Sequence, residues 1–206
     1  MRTAAMTLNV AIYVFPEVEV LDFAGPFEVF TTASRIFRRA HPHAAAPFET
    51  FTVARNLAPV RARAGLRVLP DHDFASCPPP GLLLVPGGVV DAEVADPQVV
   101  DWVRAHARGA SVTASVCTGA FVLAQAGLLE GRTATTHWED ADDLQARHPG
   151  IRVRADLRWV DEDRVATSAG IAAGIDLSLH LVARLAGDDL AERTARQLDV
   201  PYRAEP

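Results

Sequence analysis

The chain has 206 residues, of which 49% are hydrophobic and 22% charged, and its formal net charge at pH 7 is −6. These values are typical of a soluble globular protein with a hydrophobic core, and we expect one domain over residues 1–206. The negative charge argues against nucleic acid as a partner. All 20 basic residues are arginine, which excludes a Schiff-base lysine and a P-loop lysine.

Nothing in the sequence predicts contact with a membrane. No apolar run reaches the ~18 residues that a membrane span requires. Residues 1–6 lead directly into a predicted strand without a signal peptide, so we expect a cytoplasmic protein.

The segment of the first strand and helix contains two acidic residues that are candidates for a functional site. The apolar run 8–15 predicts a buried parallel strand, and a helix is expected over residues 27–38 with Pro26 in its first turn. Asp22 lies just beyond the carboxyl end of that strand, where sites of α/β sheets assemble, and Glu28 lies about one turn further on. Helix capping and the helix dipole would explain both carboxylates equally well.

The next segment predicts strands over residues 48–54 and 63–69 and contains two patterns that resemble metal ligands. They are His41-Pro42-His43 and Asp71-His72-Asp73, and a surface loop and turn chemistry account for them as well. We therefore predict no metal site and no cofactor. Cys77 precedes three prolines and receives no role.

A short apolar strand, residues 82–85, ends at Pro86-Gly87-Gly88. Paired glycines allow backbone N–H groups to point into a site without obstruction. Gly87 and Gly88 are therefore candidates for an oxyanion hole or substrate-binding loop, although an ordinary tight turn would contain the same residues. A helix over residues 97–108, capped by Asp96, follows.

Residues 111–129 form the centre of the predicted site. A buried strand, 111–116, is followed by a helix that begins near Thr118, and Cys117 occupies the corner between them. Ser115 and Gly119 are small, as the close backbone contacts of a nucleophile elbow require. We expect an exposed thiol whose pKa is lowered by helix N–H groups and the helix dipole. The alternative is a buried cysteine that acts as a small hydrophobe.

The last third adds candidate residues for the wall of the site. A strand over residues 132–136 delivers His137, which is either a general base or a hydrogen-bonded corner residue. Gly170 and Ile171 lie in the turn after a strand over residues 164–167. The expected elements are a helix over 139–147, strands over 151–153 and 157–160 that pair with 164–167, and helices over 172–186 and 189–198.

Four segments together resemble the DJ-1/PfpI superfamily, which has the class I glutamine amidotransferase-like fold. They are VLDFAGPFEVF, LLLVPGG, SVCTGAFVLAQAGLLEGRTATTHW and TSAGIAAGIDLSLHLV, and the resemblance covers residues 8–200. The implied fold is a flavodoxin-like α/β domain with a mostly parallel sheet, helices on both faces and a nucleophile elbow at Cys117. The order of strands and helices predicts the same fold class.

Two branches of that superfamily are the most similar: isonitrile hydratases and the sensor domain of AraC-type regulators. In the hydratases, the elbow cysteine and an aspartate after the first strand are catalytic, which implies Cys117 and Asp22. Thr118 also matches that branch, whereas the peptidases have histidine there and the DJ-1 branch has glutamate at the position of Asp22. Amidase, protease and glyoxalase functions are therefore less favoured. The chain ends soon after Asp199, which leaves no room for two helix-turn-helix units.

The resemblance implies that Cys117 attacks an isonitrile and that water releases an N-substituted formamide. Asp22 supplies a proton only while protonated, so the two groups are expected to share one proton. Thr118, Gly87 and Gly88 would bind the substrate or the developing charge, while Glu28, His137, Gly170 and Ile171 would form the wall or the surroundings of the site. The alternative is a small-molecule sensor without activity. The family and the apolar helix around His180 also predict a homodimer.

Overall fold

The structure is a computed structural model that describes residues 7–206, so the expectation for residues 1–6 lies outside the described part. The strands are β1 Leu8–Tyr13, β2 Phe48–Ala54, β3 Val60–Arg61, β4 Arg67–Val68, β5 His72–Asp73, β6 Leu82–Val85, β7 Val112–Val116, β8 Thr133–Ala134, β9 Arg152–Val153, β10 Trp159–Glu162 and β11 Val165–Ser168. The α-helices are α1 Val20–Ala40, α2 Asp91–Ala95, α3 Pro97–Gly109, α4 Gly119–Gln125, α5 Ala141–Arg147, α6 Ala173–Ala186 and α7 Asp188–Leu198. Two short 3₁₀ turns cover Arg63–Gly65 and Trp138–Asp140.

The centre of the fold is a seven-stranded sheet with the order β10-β11-β7-β6-β1-β2-β5. All neighbouring strands in it are parallel except β10 and β11, which form an antiparallel edge. The inner strands β6, β7 and β11 are buried along their whole length, because helices cover both faces of the sheet. Helices α1, α6 and α7 pack together on one side, and α2, α3 and α4 form a second group that contacts β6 and β7. The predicted mostly parallel α/β fold is confirmed.

Helix α1 begins earlier than the sequence predicted. Glu19 caps it by accepting the Val20 N–H at 3.2 Å, and the helix continues through Pro26, which is buried inside it. A proline ring in a helix removes one backbone hydrogen bond but is tolerated where packing holds the helix on both sides. Asp22 therefore lies in the first helical turn and not in a loop before it.

Two other expectations about secondary structure were wrong. Residues 63–69 do not form one strand, because the 3₁₀ turn at Arg63–Gly65 separates β3 from β4, and these pair as a small antiparallel hairpin. The segment around β9 pairs in parallel with β8 and not with β11. Both are short two-stranded pairings, in which local propensity is weak and tertiary contacts decide.

The apolar side of α6 is covered within the chain itself. Leu177, Leu179, Leu181 and Val182 are fully buried in the core. His180 is half-buried, and its Nε2 lies 2.7 Å from a carboxylate oxygen of Asp161 in the same chain. This helix therefore gives no support to the predicted dimer. None of the described helices is long and apolar enough to cross a membrane.

Candidate active site

Cys117 stands at the turn between β7 and α4, in the backbone conformation that a nucleophile elbow requires. Its φ is 56°, a left-handed value that is rare for a residue with a side chain. Its N–H donates to the carbonyls of Ser168 at 3.1 Å and Ala169 at 3.3 Å, and its carbonyl accepts from the Thr136 hydroxyl at 2.9 Å. The end of β11 and the segment after β8 therefore hold the turn in place.

The surroundings of Gly119 explain why the residue two positions after the corner must be small. A Cβ atom built on Gly119 would lie 2.1 Å from the backbone oxygen of Val85, at the end of the neighbouring strand β6. Backbone cannot yield as a flexible side chain does, so a larger residue would push α4 away from the sheet. The sequence-based interpretation of Gly119 agrees with this contact.

Asp22 is completely buried against the elbow, with 0% of its surface exposed. Its Oδ2 accepts the Gly87 N–H at 3.1 Å. Its Oδ1 is buried without a partner at conventional hydrogen-bond geometry among the described residues. The Cys117 thiol lies near enough to this carboxyl for each group to shift the pKa of the other, so α1 and the elbow bring the two predicted catalytic groups together.

The electrostatics of this pair differ from the expected thiolate. Burial, together with the nearby Asp22 carboxylate, raises the pKa of Cys117 to about 12, although the N–H and hydroxyl of Thr118 act in the opposite direction. Burial also raises the pKa of Asp22 from 3.8 to about 7, against the hydrogen bond from Gly87. The prediction of a lowered thiol pKa was therefore wrong for the resting site, because the thiol is only 7% exposed.

Gly87 and Gly88 do not present free N–H groups as predicted. The Gly87 N–H is bound to Asp22, and the Gly88 N–H donates to the Thr118 hydroxyl at 2.9 Å. The same hydroxyl donates to the Gly88 carbonyl, also at 2.9 Å. The two glycines therefore fix the positions of Asp22 and Thr118 and do not form an oxyanion hole themselves.

Gly87 allows Asp22 and Thr118 to pack closely against the backbone of its loop. A Cβ atom built on Gly87 would be 2.7 Å from both the amide nitrogen and the hydroxyl oxygen of Thr118 and 2.8 Å from Asp22 Oδ2. These distances are too short for any side chain, so a larger residue at this position would displace Asp22 or Thr118.

A cavity of about 300 Å³ opens over Cys117 and Thr118. Its lining residues are Glu19, Arg63, Gly88, Cys117, Thr118, His137, Glu139, Asp140 and Ile171. The β3–β4 hairpin reaches it because the Arg63 N–H donates to the Val18 carbonyl at 3.0 Å. The volume suits a small molecule and not a protein chain.

Residues 8–184 match the sequence model of the DJ-1/PfpI family. The chain belongs to this family. It is 35% identical over 195 residues to isonitrile hydratase of Pseudomonas putida, which covers 94% of the chain and 79% of that protein. It is also 34% identical over 182 residues to the HTH-type transcriptional regulator CdhR of Pseudomonas aeruginosa, covering 88% of the chain and 52% of the regulator.

Solved structures agree with the family assignment. A ThiJ/PfpI family protein from Pseudomonas syringae superposes with a TM-score of 0.83 at 30% identity, over 98% of this chain and 78% of that one. An AraC family transcriptional regulator from Pseudomonas putida gives a TM-score of 0.77 at 23% identity, over 93% and 99% of the two chains. The second likeness concerns the fold alone.

The remaining predicted site residues have different positions in this DJ-1/PfpI family fold. His137 and Ile171 line the cavity, and Gly170 supports it, since a Cβ there would be 2.0 Å from the His137 ring. Glu28 is not part of the site: its carboxylate is exposed, accepts from Thr32 at 2.9 Å and lies 3.5 Å from Arg35.

The sequence analysis missed four residues of the cavity: Glu19, Arg63, Glu139 and Asp140. Glu139 and Asp140 follow His137 so closely that their position was available from the sequence. Arg63 was not, because only the β3–β4 hairpin brings it to the site.

The two carboxylates of the Asp71-His72-Asp73 pattern, which resembles metal ligands, are used in hydrogen bonds within the chain. Asp71 accepts from the amide and the hydroxyl of Thr52, each at 2.8 Å, and Asp73 accepts from the amide of Ser76 at 2.8 Å. Over residues 7–206, no group of three or more histidine, cysteine, aspartate or glutamate side chains could hold a metal ion. Burial raises the pKa of Cys77 to about 11, far from the elbow.

Proposed function

We propose that this DJ-1/PfpI family protein is a cysteine-dependent lyase that adds water to small isonitriles and gives N-substituted formamides. The observation that carries the proposal is the fully buried Asp22 carboxyl beside the elbow, where it and the Cys117 thiol shift each other's pKa. The similarity over 94% of the chain to a protein named isonitrile hydratase supports the same assignment.

The first step forms a covalent adduct. The sulfur of Cys117 bonds to the terminal carbon of R–N≡C, and the thiol proton passes through the Asp22 carboxylate to that same carbon. The product is an uncharged thioimidate, R–N=CH–S–Cys117. A carboxyl whose pKa lies at about 7 suits this relay, because it takes up and releases a proton near neutral pH.

The second step releases the product. Water bonds to the thioimidate carbon, one of its protons goes to the nitrogen, and the C–S bond then breaks. The other water proton returns to the sulfur, so the thiol is restored and R–NH–CHO leaves. Thr118, next to Cys117 in the lining of the cavity, offers its N–H as a donor to the polar atoms of the adduct.

A small-molecule sensor is the second candidate, and the resting state of the thiol favours it. A cysteine that is 7% exposed with a pKa of about 12 is almost entirely protonated at neutral pH. The similarity to the regulator CdhR over 88% of the chain supports the same view. Under this reading the cavity binds a ligand and no covalent bond forms.

The test is a panel of isonitriles, amides and methylglyoxal, incubated with the wild type and with Cys117→Ala. Mass spectrometry follows formamide production and adducts on Cys117. We expect formamide from isonitriles with the wild type and none with the variant.

Cys77→Ala is the matched control, since it removes the other thiol and should retain full activity. Saturable binding to both the wild type and Cys117→Ala, without turnover of any compound, would favour the sensor and overturn the lyase.

A further inference from the structure

The outer wall of the cavity carries an excess of negative charge. Glu139 and Asp140 lie together on the 3₁₀ turn before α5, with side chains that are 63% and 39% exposed. We call these two residues the acidic rim. The Cys117 thiol lies at the floor of the same cavity, so a molecule that reaches the sulfur passes the rim.

Neighbouring cations do not neutralise the acidic rim. The guanidinium of Arg63, the arginine among the lining residues, is 3.4 Å from Glu19 and is balanced by it. His137 Nδ1 is 3.5 Å from Asp140 and 3.7 Å from Glu139, but it accepts the Glu139 N–H at 3.3 Å. Even a protonated imidazole would carry one positive charge against the two carboxylates of the rim, so the excess of negative charge remains.

The residues that follow the acidic rim in the sequence add further negative charge. Asp142 is exposed in the first turn of α5 and makes no salt bridge within the described residues, whereas Asp143 is paired with Arg147 at 2.8 Å. A concentration of one sign at the mouth of a cavity attracts ligands of the opposite charge and repels those of the same charge.

We propose that the acidic rim selects substrates whose substituent carries an ammonium or guanidinium group and disfavours substrates that carry a carboxylate. This inference deepens the proposed function and rests on it for turnover. The effect of the rim on charged molecules requires only that Cys117 lies in the same cavity as the rim, and it does not require catalysis.

The experiment therefore has an arm that needs no catalysis. In a Cys77→Ala background, the rate of Cys117 modification is measured with trimethylammonioethyl methanethiosulfonate and with the anionic sulfonatoethyl analogue. The thiolate bonds to the sulfenyl sulfur, and methanesulfinate leaves. Each rate is divided by the rate with free 2-mercaptoethanol, which removes the intrinsic difference between the reagents.

We expect the cationic reagent to be favoured about tenfold at low ionic strength, and E139Q/D140N to reduce that ratio about fivefold. Glu49→Gln is the matched control because Glu49 is exposed at the amino end of β2, at the opposite edge of the sheet. It should leave the ratio unchanged. If the wild-type thiol reacts too slowly to time, the same comparison is made in Asp22→Asn.

Equal normalised rates for the two reagents, or a ratio that E139Q/D140N and Glu49→Gln change alike, would overturn the inference. The second arm compares kcat/KM for an ammonium-bearing and a carboxylate-bearing isonitrile. If the two thiol reagents react at different normalised rates but no isonitrile is turned over, the proposed function is refuted and the inference about the acidic rim stands. Turnover of both isonitriles with equal kcat/KM would refute the rim alone.

Discussion

Replacing Asp22 by asparagine should stabilise the fold at alkaline pH and at the same time end turnover. Burial raises the pKa of this carboxyl from 3.8 to about 7 in the folded protein. The folded state therefore binds the proton more tightly than the unfolded chain. The stability that this proton gives is complete below pH 4 and is lost as the pH rises through 7.

The size of the effect follows from that shift. About three pKa units correspond to about 4 kcal/mol of unfolding free energy lost at pH 8, as an upper limit. Asparagine does not titrate, and its Oδ1 can still accept the Gly87 N–H. The N–H donors of its amide have no partners in this buried position, which costs about 1–2 kcal/mol. We therefore expect the variant to gain about 2 kcal/mol of unfolding free energy over the wild type at pH 8.

Urea unfolding at pH 5 and pH 8 measures this difference. Asp189→Asn serves as the control, because Asp189 has an 85% exposed side chain and should show no pH-dependent difference from the wild type. The reasoning about burial is refuted if Asp22→Asn gains the same stability at both pH values, or is less stable than the wild type at pH 8.

The same variant separates the reactivity of the thiol from catalysis. Without the Asp22 carboxylate, the pKa of Cys117 should fall from about 12 but stay above 9, because burial is the largest cause of its rise. Each unit of fall increases the thiolate fraction tenfold at neutral pH. Iodoacetamide should therefore modify Cys117 faster in the variant, while Cys77 in the same sample should react unchanged. Retained hydratase activity would remove Asp22 from the mechanism.

Four further outcomes are expected. The kcat/KM for an isonitrile should fall below pH 7 with the pH dependence of a single protonation, because a protonated Asp22 can no longer relay the thiol proton. A flat profile from pH 5 to 8 would contradict the relay. Cys117→Ser should give no formamide, because a serine hydroxyl is a much weaker acid than a thiol and stays protonated at neutral pH. Gly119→Ala should lower stability in urea by about 2 kcal/mol or more, given its 2.1 Å contact with Val85. Light scattering at micromolar concentration should report a homodimer, and a monomer would leave the chemistry intact.

Much of the elbow could be predicted because its signals are local. The run from β7 to Gly127 contains an apolar strand, a small residue at each required position and a glycine where the helix ends. Gly127 has a φ of 74°, and the Leu128 N–H donates to the Leu123 carbonyl at 3.0 Å, as in a glycine-terminated helix. These features depend on neighbours within a few residues, which sequence periodicity reports well.

The protonation states and the cavity wall could not be predicted in the same way. A cysteine at a helix start suggested a thiolate, but burial against Asp22, which is 95 positions away in the sequence, reverses the direction of the shift. Arg63 reaches the cavity because it lies in the β3–β4 hairpin. Each strand of that hairpin has only two residues, so no local sequence pattern predicts their pairing. The prediction that Glu28 belongs to the site was wrong for the opposite reason. Its spacing from Asp22 suggested a place in the same crevice, but in the longer α1 its side chain is exposed beside Arg35.

The loop at Gly87 and Gly88 sets the relation between the two catalytic candidates. Asp22 belongs to α1 and Cys117 to the turn after β7, so no single element fixes the separation between carboxyl and thiol. The Gly87 N–H holds Asp22, and both backbone groups of Gly88 hold the Thr118 hydroxyl, next to Cys117. A Cβ on Gly88 would be 2.3 Å from the Glu17 carbonyl, so the loop itself has little freedom to move. Backbone groups that would otherwise form an oxyanion hole are thus used to hold Asp22 and Thr118 beside Cys117, which suits a reaction that moves protons between neutral species.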